Sequence, residues 1–224
     1  MRIRTLTLFS NDLDSQKSFY QNTLGIGIQD EASDSFSVNI GWSRLKFERS
    51  KEKYHYHYCF LLPSNQFADA FKWFRDNLEI ITLDGESKFD FEDWNAKSFY
   101  FYDGNNNVAE CIVRYDLNNP STQNFDITNL LCVNEIGMAS TNTRSHNEIL
   151  EKSLKSRFWK GNFERFATNG NDEGLFLLVK NDVKKTWFPT SVPTEASPFK
   201  VEIESDNKLY HLSYSNQELY IEVI

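Results

Sequence analysis

Two stretches of the chain carry side chains of the types that bind divalent metals. One is Tyr54-His-Tyr-His-Tyr-Cys-Phe-Leu-Leu62, a strand-like segment that offers the imidazoles of His55 and His57. The other is Asp103-Gly-Asn-Asn-Asn-Val-Ala-Glu110, a turn that leads into a strand with a carboxylate. Catalytic Fe, Mn, Ni or Zn sites use imidazole and carboxylate ligands and leave positions open for water or substrate. We therefore take His57 and Glu110 as candidate metal ligands.

Composition indicates a globular protein and argues against two kinds of partner. The 224 residues are 40% hydrophobic and 15% aromatic, which is enough to bury a large core. A net charge of −8 opposes attraction to nucleic acid or to an anionic membrane surface. No apolar run approaches the roughly 20 residues of a membrane span. Because Met1–Phe9 also lacks the features of a signal peptide, we expect a cytoplasmic protein.

The elements that must position the candidate ligands follow a repeated order of strand, helix and strands. The first strand, Arg2–Ser10, alternates so that Thr5 and Thr7 lie on the face opposite a helix predicted at about 15–24. Strands are predicted next at 36–40 and 45–48. The second unit has a strand at 56–62, a helix at 65–77 and strands at 80–83, 98–102 and 108–114. The third has a strand at 131–139, a helix at 143–154 and strands at 164–168 and 175–179.

The last quarter of the chain departs from this order. It contains three short strands at 199–204, 209–214 and 218–223, with no helix-length amphipathic segment between the first and second. A polar, Pro-containing stretch separates the second unit from the third. We therefore predict a first domain at residues 1–115, a linker at 116–130 and a second, degenerate domain at 131–224. The last module of the second domain lacks its helix.

The repeat and several of its segments resemble the vicinal-oxygen-chelate superfamily. The similar segments are Leu6-Thr-Leu-Phe-Ser-Asn-Asp-Leu13, Ser18-Phe-Tyr-Gln-Asn-Thr-Leu-Gly25, the strand with His57, and Asp103–Glu110. This superfamily includes glyoxalase I, bleomycin-resistance proteins and extradiol dioxygenases. The resemblance implies an α+β fold in which paired βαβββ modules form curved mixed sheets around a cleft.

The resemblance also implies where metal ligands would lie. In the metal-using members, the first strands of two paired modules and a last strand each supply one ligand. In the first domain these places fall at Thr5, His57 and Glu110. A threonine hydroxyl is a poor ligand for these metals, so we expect an incomplete metal site. We place Thr5, Thr7 and His55 in the surrounding pocket.

The second domain has a weaker set of candidate metal ligands at the equivalent strand positions. Its first-strand position falls at Glu135, and the last module supplies Phe199 and Glu222. Two carboxylates and a phenylalanine make a poor transition-metal site. We therefore interpret this domain as a copy that braces the first and helps to complete the cleft.

Three functions remain open on the sequence alone. The first is a small-molecule-binding protein whose ligand is a small aromatic or hydrophobic compound and whose metal site is incomplete. The second is a metal-dependent lyase, isomerase or ring-cleaving dioxygenase acting on a substrate with vicinal oxygens, with His57 and Glu110 as ligands. The third is an interaction module that forms a homodimer. Whether the protein is an enzyme is left undecided by these residues.

Overall fold

The computed structural model describes all 224 residues as two curved sheets and three α-helices. The helices are α1 Leu13–Ser18, α2 Phe67–Asn77 and α3 Thr143–Leu154. The strands of the first half are β1 Arg2–Ser10, β2 Ile28–Ala32, β3 Ser35–Ile40, β4 Ser43–Arg49, β5 His57–Leu62, β6 Phe89–Phe91, β7 Ala96–Tyr102 and β8 Val108–Arg114. The strands of the second half are β9 Cys132–Ser140, β10 Phe158–Asn162, β11 Phe166–Asn171, β12 Gly174–Lys180, β13 Phe199–Ser205, β14 Lys208–Ser215 and β15 Glu218–Val223.

The strand order confirms the α+β class and the repeated βαβββ module. A seven-stranded sheet has the order β15-β14-β13-β1-β4-β3-β2, and an eight-stranded sheet has the order β10-β11-β12-β9-β5-β8-β7-β6. In each of the first three modules the last strand lies parallel beside the first, which requires the crossover that the helix provides. The fourth module is a simple antiparallel meander of β13, β14 and β15. It has no helix, as the sequence predicts.

The modules pair differently from the prediction. Residues 2–49 share their sheet with residues 199–223, and residues 57–114 share theirs with residues 132–180. The expectation that the first two modules enclose a common cleft is therefore wrong. The first strands of the modules pair as β1 with β13 and β5 with β9. These pairs join distant parts of the chain, and the local periodicity of the sequence does not indicate which strands are partners. The boundaries 1–115, 116–130 and 131–224 and the homodimer stay predictions.

One core lies between the two sheets and the helices. Leu6 and Leu8 of β1 reach it from one sheet, and Tyr58 and Phe60 of β5 reach it from the other. Phe74 of α2 packs in the same core. Since strand side chains alternate between faces, the other face of β5 and its neighbours is left for the site. No helix in the chain has the length and apolar character needed to cross a bilayer.

Local elements differ from the prediction at a few places. The first helix begins at Leu13, where the Asp12 side chain accepts from the Ser15 amide, and it continues as a wider π-type turn through Phe19–Thr23. The predicted strand at 80–83 is reduced to isolated bridges, Ile80 with Phe101 of β7 and Leu83 with Glu86, because polar residues follow it. Strands β2, β6 and β10 were not predicted. They lie at sheet edges, where the apolar alternation is weak.

The turn at 103–107 is fastened to the core by a buried aspartate. Asp103 accepts hydrogen bonds from Gln16 Nε2 at 2.6 Å and from the Tyr58 hydroxyl at 2.7 Å. Its other oxygen accepts from the backbone amides of Asn105 and Asn107, each at 2.9 Å. These contacts hold the entry to β8, the strand that carries Glu110.

We expect Gly104→Ala to destabilise the protein. A Cβ at Gly104 would lie 2.4 Å from the backbone oxygen of Ser15, so the turn and α1 would have to separate. We predict a loss of about 1–3 kcal/mol in the free energy of unfolding by urea denaturation. Gly27→Ala is the matched control, because its nearest neighbour is a flexible Gln29 side-chain atom at 3.8 Å. Equal stability of the two variants would contradict this packing.

Candidate metal centre

Three potential metal ligands meet on one face of the eight-stranded sheet. They are His57 of β5, Glu110 of β8 and Glu135 of β9, and their ligand atoms all lie within 4.8 Å of one another. The residues are only 5%, 3% and 3% exposed, so this is not a solvated surface cluster. Buried carboxylates need a cation or strong donors beside them.

Sheet register explains why the three side chains converge. β5 is the shared neighbour of β8 and β9, and Cys59 stands opposite Glu110 on one side and Glu135 on the other. His57 lies two residues before Cys59 and therefore on the same face. Three adjacent central strands thus each contribute one ligand atom to the same point.

Glu135 reaches this face through a β-bulge in β9. Val133 and Ile136 both belong to the core, although strict alternation would put residues three apart on opposite faces. The ladder with β5 shifts register between Val133 and Glu135, which leaves Asn134 as the extra residue. The bulge turns Glu135 away from the core and toward His57.

β1 contains a β-bulge at the corresponding position, between Ile3 and Thr5. Ile3 and Leu6 lie in the core, and the ladder with β13 shifts between Ile3 and Thr5. Thr5 in the seven-stranded sheet therefore corresponds to Glu135 in the eight-stranded sheet. The predicted pairing of the first two modules is wrong, and the corresponding positions of Thr5 and Glu135 lie in different sheets.

The structure does not bring Thr5, Thr7 or His55 to the His57–Glu110 pair. Thr5 Oγ1 donates to Glu202 Oε2 at 2.7 Å in the seven-stranded sheet, and Thr7 lies on the same strand. His55 Nδ1 lies 3.3 Å from Glu195 Oε2. The placement of Thr5 beside His57 is wrong because β1 pairs with β13. Glu135 occupies the third place instead.

The contacts of His57 leave its Nε2 facing a carboxylate oxygen of Glu110. Nδ1 lies 3.0 Å from the Val108 carbonyl oxygen, which only accepts, so Nδ1 donates. Nε2 lies 3.3 Å from Glu110 Oε2. In neutral histidine this nitrogen is an acceptor and faces a second acceptor. A proton on Nε2 satisfies the contact, and so does a metal ion bound by both atoms.

Glu135 adds a second negative charge to this pair. Burial raises the pKa of Glu135 to about 7, and the charge of Glu110 acts in the same direction, while Arg114 opposes them. Arg114 Nη2 donates to Glu135 Oε1, which leaves Oε2 for another partner. One imidazole nitrogen and two carboxylates form a donor set that a divalent cation fits.

Arg114 is fully buried and lies beside two tryptophans that also contact each other. Its guanidinium carbon lies 5.5 Å from the ring centre of Trp94 and 5.2 Å from that of Trp159. Nε donates to Asn134 Oδ1 at 3.0 Å, so the residue of the bulge is tied to the same cation. Arg114 therefore positions the Glu135 carboxylate through a hydrogen bond to Oε1. The sequence analysis missed it, because an arginine that ends a strand looks like a surface residue.

An aromatic cavity of about 380 Å³ opens over the three ligands. Trp187 covers them, with its ring centre 5.2 Å from that of His57. A Cβ at Gly137 would lie 2.4 Å from the Trp187 ring, so only glycine leaves room for it. Burial raises the pKa of Tyr100 well above its usual value, which keeps its hydroxyl neutral. The wall consists of Phe91, Trp94, Tyr100, Ile112, Arg165, Phe166, Leu177, Lys184, Trp187 and Phe188.

Trp187 belongs to residues 181–198, the segment between β12 and β13 that joins the third module to the fourth. This segment forms no helix and lies over the open face of the eight-stranded sheet, where Trp187 and Phe188 line the cavity. The Trp187-Phe188-Pro189 motif is prominent in the sequence. The structure places it over the candidate centre.

Comparisons with known proteins agree with this architecture. No family model matches the chain, and no curated protein matches it. Among solved structures, a putative dioxygenase from Bacillus subtilis covers 100% of this chain and 84% of its own, with a TM-score of 0.62 and 10% identity. The chain shares the fold of this protein over its whole length. At this identity the similarity to the dioxygenase establishes the fold alone.

Two shorter solved structures match about half of the chain. Lactoylglutathione lyase from Agrobacterium tumefaciens covers 50% of this chain and 92% of its own, with 18% identity and a TM-score of 0.42. The fosfomycin resistance protein FosX from Listeria monocytogenes, solved with Mn(II) and 1S,2S-dihydroxypropylphosphonic acid, covers 50% of this chain and 87% of its own. Its identity is 18% and its TM-score 0.37.

We expect Arg114→Met to destabilise the metal-free protein. The substitution leaves the buried Glu135 charge without its partner, which typically costs about 3–5 kcal/mol in the free energy of unfolding. Adding Glu135→Gln should recover part of this loss, because it removes the orphaned charge.

Arg2→Met is the control. Arg2 also forms an ion pair, with Glu173, and a contact with a tryptophan ring, that of Trp42. Its side chain is 42% exposed, so this ion pair contributes less than about 1 kcal/mol to the free energy of unfolding. Urea denaturation at pH 8 measures the effects. Similar losses for Arg114→Met and Arg2→Met would show that Arg114 does not hold a charged Glu135.

Proposed function

We propose that this protein binds a divalent metal through His57, Glu110 and Glu135 and uses it to hold a small organic molecule with two adjacent oxygens. The observation that carries the proposal is the pair of acceptors, His57 Nε2 and Glu110 Oε2, that face each other at 3.3 Å beside a second buried carboxylate. One imidazole and two carboxylates form the kind of nitrogen and oxygen site that Mn, Fe, Ni or Zn accepts.

The bound ion would act as a Lewis acid that polarises the oxygens of the ligand. The residues of the chain provide the rest. Val108 fixes the His57 ring so that Nε2 points into the cavity, and Arg114 occupies one oxygen of Glu135 so that the other is free. Trp187 packs against His57 and excludes water from that side.

The cavity supports a flat apolar ligand. Six aromatic rings line it, and its volume suits a single substituted ring rather than a polymer or a large cofactor. A lyase, isomerase or ring-cleaving dioxygenase reaction on such a ligand would use the same polarised oxygens. The reaction class is left to activity assays on catechols and on hemithioacetals.

Metal-independent ligand binding is the second candidate function. It is favoured by the ion pair of Arg114 with Glu135, which already neutralises one of the two carboxylates. A proton on His57 Nε2 would neutralise the other. Metal content therefore separates the two functions.

We expect the purified protein, stripped with a chelator and reloaded with Mn²⁺, to retain about one ion per chain, since each chain holds one such cluster. His57→Ala, Glu110→Ala and Glu135→Ala should each weaken metal binding by at least about tenfold, because each removes a direct ligand. Mass spectrometry of the metal after desalting, together with a calorimetric titration, gives both quantities.

His211→Ala and Glu202→Ala are matched controls from the other sheet. His211 Nε2 lies 3.0 Å from Glu202 Oε1, so the same residue types form a similar pair, but this pair is largely exposed. These two variants should bind metal as the parent protein does. Unchanged metal content in the His57 and Glu135 variants would reject the centre.

A further inference from the structure

The cavity carries opposite charges in two different parts. The carboxylates of Glu110 and Glu135 lie with His57 at the sheet, whereas Lys184 and Arg165 come from the segments that border the cavity. Neither Lys184 nor Arg165 forms an ion pair with a carboxylate of this chain, although the neighbouring Glu164 pairs with Lys180. Two unpaired cations beside an aromatic wall indicate a missing anionic partner.

Lys184 is built into the wall and is not a freely moving surface lysine. Its Nζ donates to the Thr186 carbonyl at 2.6 Å and lies 5.8 Å from the centre of the Trp187 ring. Burial lowers the pKa of Lys184 to about 8, and the positive charge of Arg165 lowers it further. A bound anion would relieve both effects. The Arg165 guanidinium is exposed and makes no hydrogen bond within the chain, so its donors are free.

The two charged regions have different partners. Glu110 pairs with His57 and Glu135 with Arg114, whereas Lys184 and Arg165 pair with neither carboxylate. Because the chain has a net charge of −8, an anionic ligand also needs local cations to be held here.

We propose that the ligand is an aromatic carboxylate, bound with its carboxylate at Lys184 and Arg165 and its ring against Trp94, Phe166 and Phe188. A carboxylate presents two oxygens, which match one ammonium and one guanidinium. This inference rests on the proposed function, because it takes the cavity as the ligand site. The edge of the ligand ring that is opposite its carboxylate then lies toward His57. The inference does not require that a metal is bound.

The test compares two probes of the same shape, 3,4-dihydroxybenzoate and 3,4-dihydroxybenzamide. Dissociation constants are measured by calorimetry for the full chain at pH 7, with and without Mn²⁺. We expect the carboxylate to bind at least about tenfold more tightly than the amide, since charge-assisted hydrogen bonds are stronger than neutral ones. Lys184→Met and Arg165→Gln should each reduce this preference, and the double variant should abolish it.

Two controls separate this inference from the proposed function. Lys185→Met removes an exposed neighbouring cation that does not line the cavity, so the preference should stay. His211→Ala removes an exposed histidine of the other sheet that does not line the cavity, and the preference should also stay in that variant. If metal binding fails in the parent protein but the preference is present, only the metal proposal fails.

Three results would overturn the inference. They are equal affinity for the two probes in the parent protein, a preference that survives in the double variant, and no measurable binding of 3,4-dihydroxybenzoate. Circular dichroism of each variant, identical to that of the parent, establishes that a lost preference comes from the missing cations and not from unfolding.

Discussion

The candidate centre depends on one contact between distant parts of the chain, the antiparallel pairing of β5 with β9. This pairing puts Glu135 beside a strand whose other neighbour carries Glu110, and the bulge at Asn134 turns Glu135 to the open face. Without the bulge the carboxylate would point into an apolar core, where an unpaired charge is strongly unfavourable. The register and the bulge therefore determine both the fold of β9 and the composition of the site.

The two sheets pair the first strands of their modules in the same way but place different residues at equivalent positions. Thr5 faces Glu202 across β1 and β13 as Glu135 faces Cys59 across β9 and β5. In the seven-stranded sheet this position is occupied by the Thr5 hydroxyl. The nearby ion pair of His211 with Glu202 is exposed to water, so the interaction between the two side chains is weak. The eight-stranded sheet buries its charges under Trp187. Residues 181–198, which join the third module to the fourth, supply this cover.

Much of the fold could be predicted from the sequence, because helix and strand periods are local. The alternation correctly assigned Leu6, Tyr58 and Phe60 to the core, and the order of elements identified the modules and the missing last helix. Pairing between modules could not be predicted, since nothing in β1 or β5 alone distinguishes β9 from β13 as a partner. For this reason Glu135 was assigned to a weak set, Thr5 to the first site, and Arg114 and Trp187 to no site.

Anomalous diffraction from crystals soaked in Mn²⁺ tests the central claim most directly. The three-residue centre predicts one strong peak bonded to His57 Nε2 and to one oxygen each of Glu110 and Glu135, with Arg114 still on the other Glu135 oxygen. The claim would be contradicted by crystals with no manganese at these residues and with Nε2 of His57 still in direct contact with Glu110.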